Sequence, residues 1–234
     1  MLSKTNKDIL INKREVYRYL GYGYNLPTKE MIELIDSCIQ DVIKNSELRY
    51  VTERLPVQTS ENEGEFFIGD IKVISKDLAK NLRDCREVYL MGATIGVGVD
   101  RLIARAAVAD VSKAAIYQAI GAAYIEDYCD YINAEIDAIA CSENLDTRPR
   151  FSPGYGDLSL AYQNDIARIL NLPKNVGISL SESKIMSPSK SVTAIIGLRK
   201  KLDVEPEEKI SKGNTTSVSK CRLCDKVDCQ FREG

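Results

Sequence analysis

The chain has 234 residues, and its 32 lysines and arginines against 34 aspartates and glutamates leave a formal net charge of −2 at pH 7. Such balance gives no field to hold nucleic acid or an anionic membrane, while 44% hydrophobic and 28% charged residues are the composition of a globular protein able to bury a core. Histidine is absent, which removes Ser–His and Cys–His catalytic pairs and histidine-held metals and leaves acid–base chemistry to carboxylates, lysines, tyrosines and cysteines.

The uncharged run from Val88 to Val99 spans about a dozen residues, where a membrane-spanning helix needs about 20. The opening Met-Leu-Ser-Lys-Thr-Asn-Lys has no apolar signal core behind it. Of seven cysteines, Cys38, Cys85, Cys129 and Cys141 are scattered and three crowd the end, which reads as thiols of a reducing compartment rather than a disulfide framework. A cytoplasmic protein with no nucleic-acid or membrane partner is expected.

In chain order, a short helix is predicted from Lys13 to Leu20, stopped by Gly21-Tyr-Gly23. A stronger one runs from its N-cap Thr28 to Asn45, with Met31, Ile32, Ile35, Cys38, Ile39, Val42 and Ile43 on one stripe. Leu48–Val57 and Glu65–Ile74 carry the β-branched and aromatic residues of strands, and Ser75 caps a helix to about Arg83. Glu87–Met91 reads as a buried strand, followed by a glycine-rich turn to Gly98 and helices over Arg101–Ala109 and Ser112–Ala140. An irregular segment, Cys141–Gly156, precedes a helix from about Leu158 to Leu170 that Asn171-Leu-Pro173 stops; Gly177–Leu180 and Ser191–Leu198 are candidate strands.

The fold class is therefore α+β. The expected organisation is an N-terminal helical and strand part (1–85), a core (86–199), a charged polar linker (200–220) and a cysteine-bearing tail (221–234).

Four features can carry chemistry. On the long helix, Ile125, Cys129, Ile132, Ile136 and Ile139 share one stripe, Glu126, Asp130 and Asp137 lie about 100 to 140° away, and Tyr117, Tyr124, Tyr128 and Tyr131 take a third face. Glu126 and Asp130 repel at i, i+4, so the pairing makes most sense beside a cation: an arginine, a metal or a cationic ligand. The alternative is a solvated acidic face beside a tyrosine-lined packing face. Second, Arg148-Pro-Arg150-Phe-Ser-Pro-Gly154-Tyr155-Gly156 sets two guanidinium groups before a turn whose glycines allow close backbone approach; it is either a connection or an anion-binding loop.

The third feature, Gly92-Ala-Thr-Ile-Gly96-Val-Gly98, lacks the Gly-x-Gly-x-x-Gly spacing of a dinucleotide turn, so a tight strand-to-helix connection with Thr94 and Asp100 as its polar side chains is the default. The fourth is Cys221-Arg-Leu-Cys224-Asp-Lys-Val-Asp-Cys229, whose thiolates suit zinc or an iron–sulfur cluster with a fourth ligand from elsewhere; redox-active or free thiols are the competing readings.

With Arg150-Phe-Ser-Pro-Gly-Tyr-Gly-Asp157 and Leu180-Ser-Glu-Ser-Lys-Ile-Met186-Ser-Pro188-Ser-Lys190-Ser191-Val-Thr-Ala-Ile-Ile-Gly197 in view, the chain resembles the activation (reactivation) domain of vitamin B12-dependent methionine synthase in its stand-alone version. The resemblance covers roughly Glu87 to Gly197. It implies an antiparallel sheet packed with long helices, and makes 86–199 an S-adenosylmethionine-binding activation core. In that family the loop arginine meets the methionyl carboxylate and the backbone around the glycine meets the adenosine, which nominates Arg150, Ser152, Gly154 and Tyr155. Glu126 becomes the leading acidic partner of the ligand, with Asp130 as the fallback.

The chain carries no Asp-x-His-x-x-Gly cobalamin signature, so the resemblance implies cobalamin on the cobalamin-binding module of a separate methionine synthase chain. Reactivation in the family couples an electron from flavodoxin or another donor to methyl transfer from S-adenosylmethionine. The expected role is thus a methyltransferase component in methionine biosynthesis. The alternative is a regulatory or metal-binding module of another corrinoid methyltransferase system, working through the tail cysteines.

Overall fold

The structure, a computed structural model, describes residues 9–23, 25–60 and 64–201. Its first half holds α1 (Lys13–Tyr19), α2 (Lys29–Asn45), β1 (Arg49–Thr59), β2 (Glu65–Ile68), β3 (Ile71–Ile74), α3 (Lys76–Asn81) and β4 (Cys85–Thr94). Then follow α4 (Val97–Ala109), α5 (Val111–Ser142), β5 (Leu145–Thr147), a 3₁₀ turn at Leu160–Tyr162, α6 (Gln163–Ile169), α7 (Leu172–Asn175), β6 (Ser179–Leu180), β7 (Met186–Ser187) and β8 (Ser191–Lys200). The expected α+β class holds: six strands form an antiparallel sheet in the order β3-β2-β1-β4-β8-β5, and β6 and β7 pair separately.

The central strands are apolar on both faces because both faces are covered. Side chains alternate along a strand, so Met91 and Ala93 of β4, with Ala194 and Ile196 of β8, join a core built with α1, α2, α4 and α5. Val88, Leu90 and Ile195 point the other way, into a second core with α3, α6 and α7. Each fully buried Leu or Ile contributes about 1.5–3 kcal/mol, so the two cores rather than helix propensity hold these elements.

Helix α2 follows its sequence stripe: Ile35, Cys38, Ile39 and Val42 are buried, and the Thr28 hydroxyl accepts from the Met31 amide. Helix α5 is buried on its isoleucine stripe and its tyrosine face alike, with Tyr117, Tyr124 and Tyr128 inside and Ile139 left half-exposed at the end. Asp110 ends α4 and caps α5, accepting from the Lys113 amide at 3.1 Å.

Several expectations change. Glu65–Ile74 is a hairpin rather than a single strand, turned at Gly69 with φ +56°. Helix α4 starts before Asp100, at Val97, because Gly98 packs against the last residue of α2, where a Cβ would lie 2.0 Å from the Asn45 carbonyl oxygen, and Gly96 packs against Glu47 just beyond that helix. The segment Cys141–Gly156 contains β5, and the helix expected over Leu158–Leu170 is a 3₁₀ turn followed by the shorter α6. Asn171, in the left-handed region at φ 43°, does not simply stop the chain; it leads into α7 with Pro173 in its first turn.

Candidate functional site

The glycine-rich turn joins β4 directly to α4. The Thr94 hydroxyl accepts from the Gly96 amide at 3.1 Å, the Ile95 amide donates to the Lys190 carbonyl, and Asp100 accepts from the Ser189 amide at 2.8 Å and from its hydroxyl. The first of these bonds closes the turn on itself, and the others tie it to the residues that lead into β8.

The loop that follows β5 is different. Arg148 and Arg150 alternate in direction: the Arg148 Nε donates to the Asn81 carbonyl at 2.7 Å, fastening the end of α3, whereas the Arg150 guanidinium reaches α5. There its Nη2 stands 2.7 Å from Asp130 Oδ1 and 3.4 Å from Glu126 Oε2, with its side chain only 14% exposed. The cation demanded by the like-charged i, i+4 pair is an arginine from a loop. Burial works against the Arg150 charge, yet the Cys129 thiol, Asp130 and Glu126 together raise its pKa above the ordinary value, so it stays a cation.

The next residues are pinned to β8. Phe151 and Ile195 exchange backbone bonds at 2.9 and 2.8 Å, and the Ser152 hydroxyl donates to the Thr193 carbonyl at 2.7 Å. A turn then closes from the Tyr155 amide to the Ser152 carbonyl at 3.1 Å. Pro153 and Gly154, the latter at φ +94°, occupy its two central positions, the residue pattern of a type II turn. This holds Tyr155 out at the surface, 61% exposed, edge-on to Phe151 with ring centroids 6.3 Å apart.

Structure thus brings Arg150, Glu126 and Asp130 into one ion-paired group, with Ser152, Gly154 and Tyr155 on the adjoining turn. The Ser152 hydroxyl is already committed to β8. Asp130, ranked behind Glu126 in sequence, makes the shorter ion pair. Cys221, Cys224 and Cys229 lie outside the described residues, and among the described residues no three acidic or thiol side chains are placed to hold a metal ion.

Two groups were missed in sequence. Asp127, beside the site on α5, accepts from the Asn12 amide at 2.8 Å, and burial, countered by that bond and aided by Asp130, Glu15 and Glu126, pushes its pKa up to about 6. Asp157 grips the N-terminus of α3, a role that only its place directly after Gly-Tyr-Gly could have hinted at.

Fold and site together define an α+β protein with a long helix packed on an antiparallel sheet and an arginine–turn loop at its edge. No family model and no curated protein sequence matches the chain. Among solved structures, the crystal structure of the MetH reactivation domain bound to AdoHcy matches with a TM-score of 0.55 at 14% identity, covering 81% of this chain and 71% of that one. At that identity the likeness establishes a shared fold, in agreement with the architecture that the sequence resemblance implied.

Proposed function

We propose that the chain binds S-adenosylmethionine and serves as the reactivation partner of a cobalamin-dependent methionine synthase carried on another chain. The observation behind this is the Arg150–Asp130–Glu126 group beside the Ser-Pro-Gly-Tyr turn, on a fold shared with a reactivation domain bound to AdoHcy. A lone carboxylate arriving at Arg150 would be repelled by Asp130 and Glu126, and a lone cation by Arg150. An α-amino acid group answers both, its carboxylate facing the guanidinium and its ammonium the two acids.

In this reading S-adenosylmethionine supplies an electrophilic methyl group when bound. The chain's own contribution is positional: Arg150 and the acids orient the amino acid end, and the turn offers backbone to the adenosine. No proton has to be moved, which suits a chain without histidine. The electron would come from flavodoxin or a comparable donor, and the cobalamin from the partner's cobalamin-binding module.

Calorimetric titration with S-adenosylmethionine tests the reading. Saturable binding is expected, weakened about 10- to 100-fold in Arg150→Ala, the size of a lost charge-assisted hydrogen bond. Equal affinity in the variant would remove Arg150 from the site, and no binding by folded protein would end the proposal.

A further inference from the structure

The Gly154–Tyr155 turn is held at both ends, and its downstream anchor serves no part of the ligand reading above. The Asp157 carboxylate accepts from the Lys76 amide at 2.7 Å, from the Asp77 amide at 3.2 Å and from the Ser75 hydroxyl. In return the Asp77 carboxylate accepts from the Asp157 amide at 3.1 Å. Ser75 also accepts from the Leu78 amide at 3.0 Å, so the first-turn amides of α3 are divided between a local cap and a residue some eighty positions away.

Gly156 is what allows the approach. Its φ of +51° suits glycine, and a Cβ there would lie 2.2 Å from Asp77 Oδ2. The upstream end is fixed by Phe151 and Ser152 on β8, so the turn is strung between the sheet and α3. The Ser75 hydroxyl, opposed by burial and helped by the Lys76 and Asp77 amides, keeps the Asp157 pKa below the usual carboxylate range.

We propose that Asp157 and Asp77 form a reciprocal clamp that positions the Gly154–Tyr155 turn, making Asp157 a positioning residue for whatever that turn binds. Its consequence for S-adenosylmethionine rests on the function proposed above; its consequence for the turn does not. Two readouts on the full chain separate them: amide exchange at Gly154, Tyr155 and Leu158, and S-adenosylmethionine affinity.

Asp157→Ala should speed exchange across the turn about 10-fold while α5 amides keep their rates, and weaken binding by about 10-fold. Asp157→Asn, which keeps one acceptor oxygen, should recover much of both. In a Tyr155→Ala background, Asp157→Ala should weaken binding less than about 2-fold more, because both act through one turn. Unchanged exchange in folded Asp157→Ala overturns the clamp, and a loosened turn with unchanged affinity where the wild type binds overturns Asp157 as a positioning residue for S-adenosylmethionine. A loosened turn in a protein whose wild type binds no S-adenosylmethionine upholds the clamp and refutes the proposed function instead. Should Asp157→Ala not fold, Asp77→Ala removes a single bond of the clamp, and the same exchange readout supports or overturns it.

Discussion

Asp127 shows how much one side chain can do in a chain without imidazole. An unfolded aspartate titrates near about 3.9, whereas burial holds the native Asp127 at about 6, so between these values the folded state keeps a proton that the unfolded state has lost. Its contribution to stability is complete below about pH 4 and declines as pH rises through 6. Asp127→Asn can still accept from the Asn12 amide, and it should gain on the wild type in urea midpoint as pH goes from 4 to 7. A constant difference across that range would place the titration elsewhere. Asp157 has the opposite sign: its lowered pKa makes the α3 clamp complete above about pH 4 and lost as pH falls below it.

At the same scale, the Arg150 group was legible in part. Two acids at i, i+4 called for a cation, an arginine among the candidates, and the Arg148–Gly156 loop stood out separately as an anion-binding candidate; that the two features meet is seen only in the structure. What sequence could not give was the division of labour between Arg148 and Arg150, which follows from strand-like alternation along a segment read as irregular. Nor could it pair Asp157 with Ser75 and Asp77, because no local pattern links residues some eighty positions apart.

Among elements, long amphipathic pieces were readable and short ones were not. Helix α2 declared itself through Thr28 and a single apolar stripe, and β4 through a run apolar on both faces. Strands β5 and β7, of three and two residues, carry too few side chains for a period to show. Helix α4 was expected to begin late because glycines disfavour helix, yet tertiary packing against α2 overrode that preference. The same contact makes Gly98→Ala a sharp test of the α2–α4 junction. The added methyl must push aside the Asn45 carbonyl, and a loss of about 3 kcal/mol is expected by chemical denaturation. A loss under about 1 kcal/mol would mean that the junction yields.

Across the whole molecule, the fold shared with a reactivation domain at 14% identity shows how few particular side chains this architecture requires. A six-stranded antiparallel sheet covered on both faces needs apolar residues at particular places but few particular ones. No described helix is long and apolar enough to cross a membrane.

The arrangement at the outer side of β8 has a further consequence. Strand β5 pairs only with Leu198–Lys200, and beyond it the hydrogen-bonding rim is covered by Phe151 on Ile195 and by Ser152 on Thr193. The proposed ligand loop is therefore also the guard of an otherwise open sheet margin, the kind of surface to which strands of other molecules add. Keeping the protein apart from its own copies and keeping the loop in shape become one requirement. Phe151→Pro, which removes the donor to Ile195, should scatter light increasingly with concentration where the wild type does not; equal scattering would mean that the margin is guarded by something else.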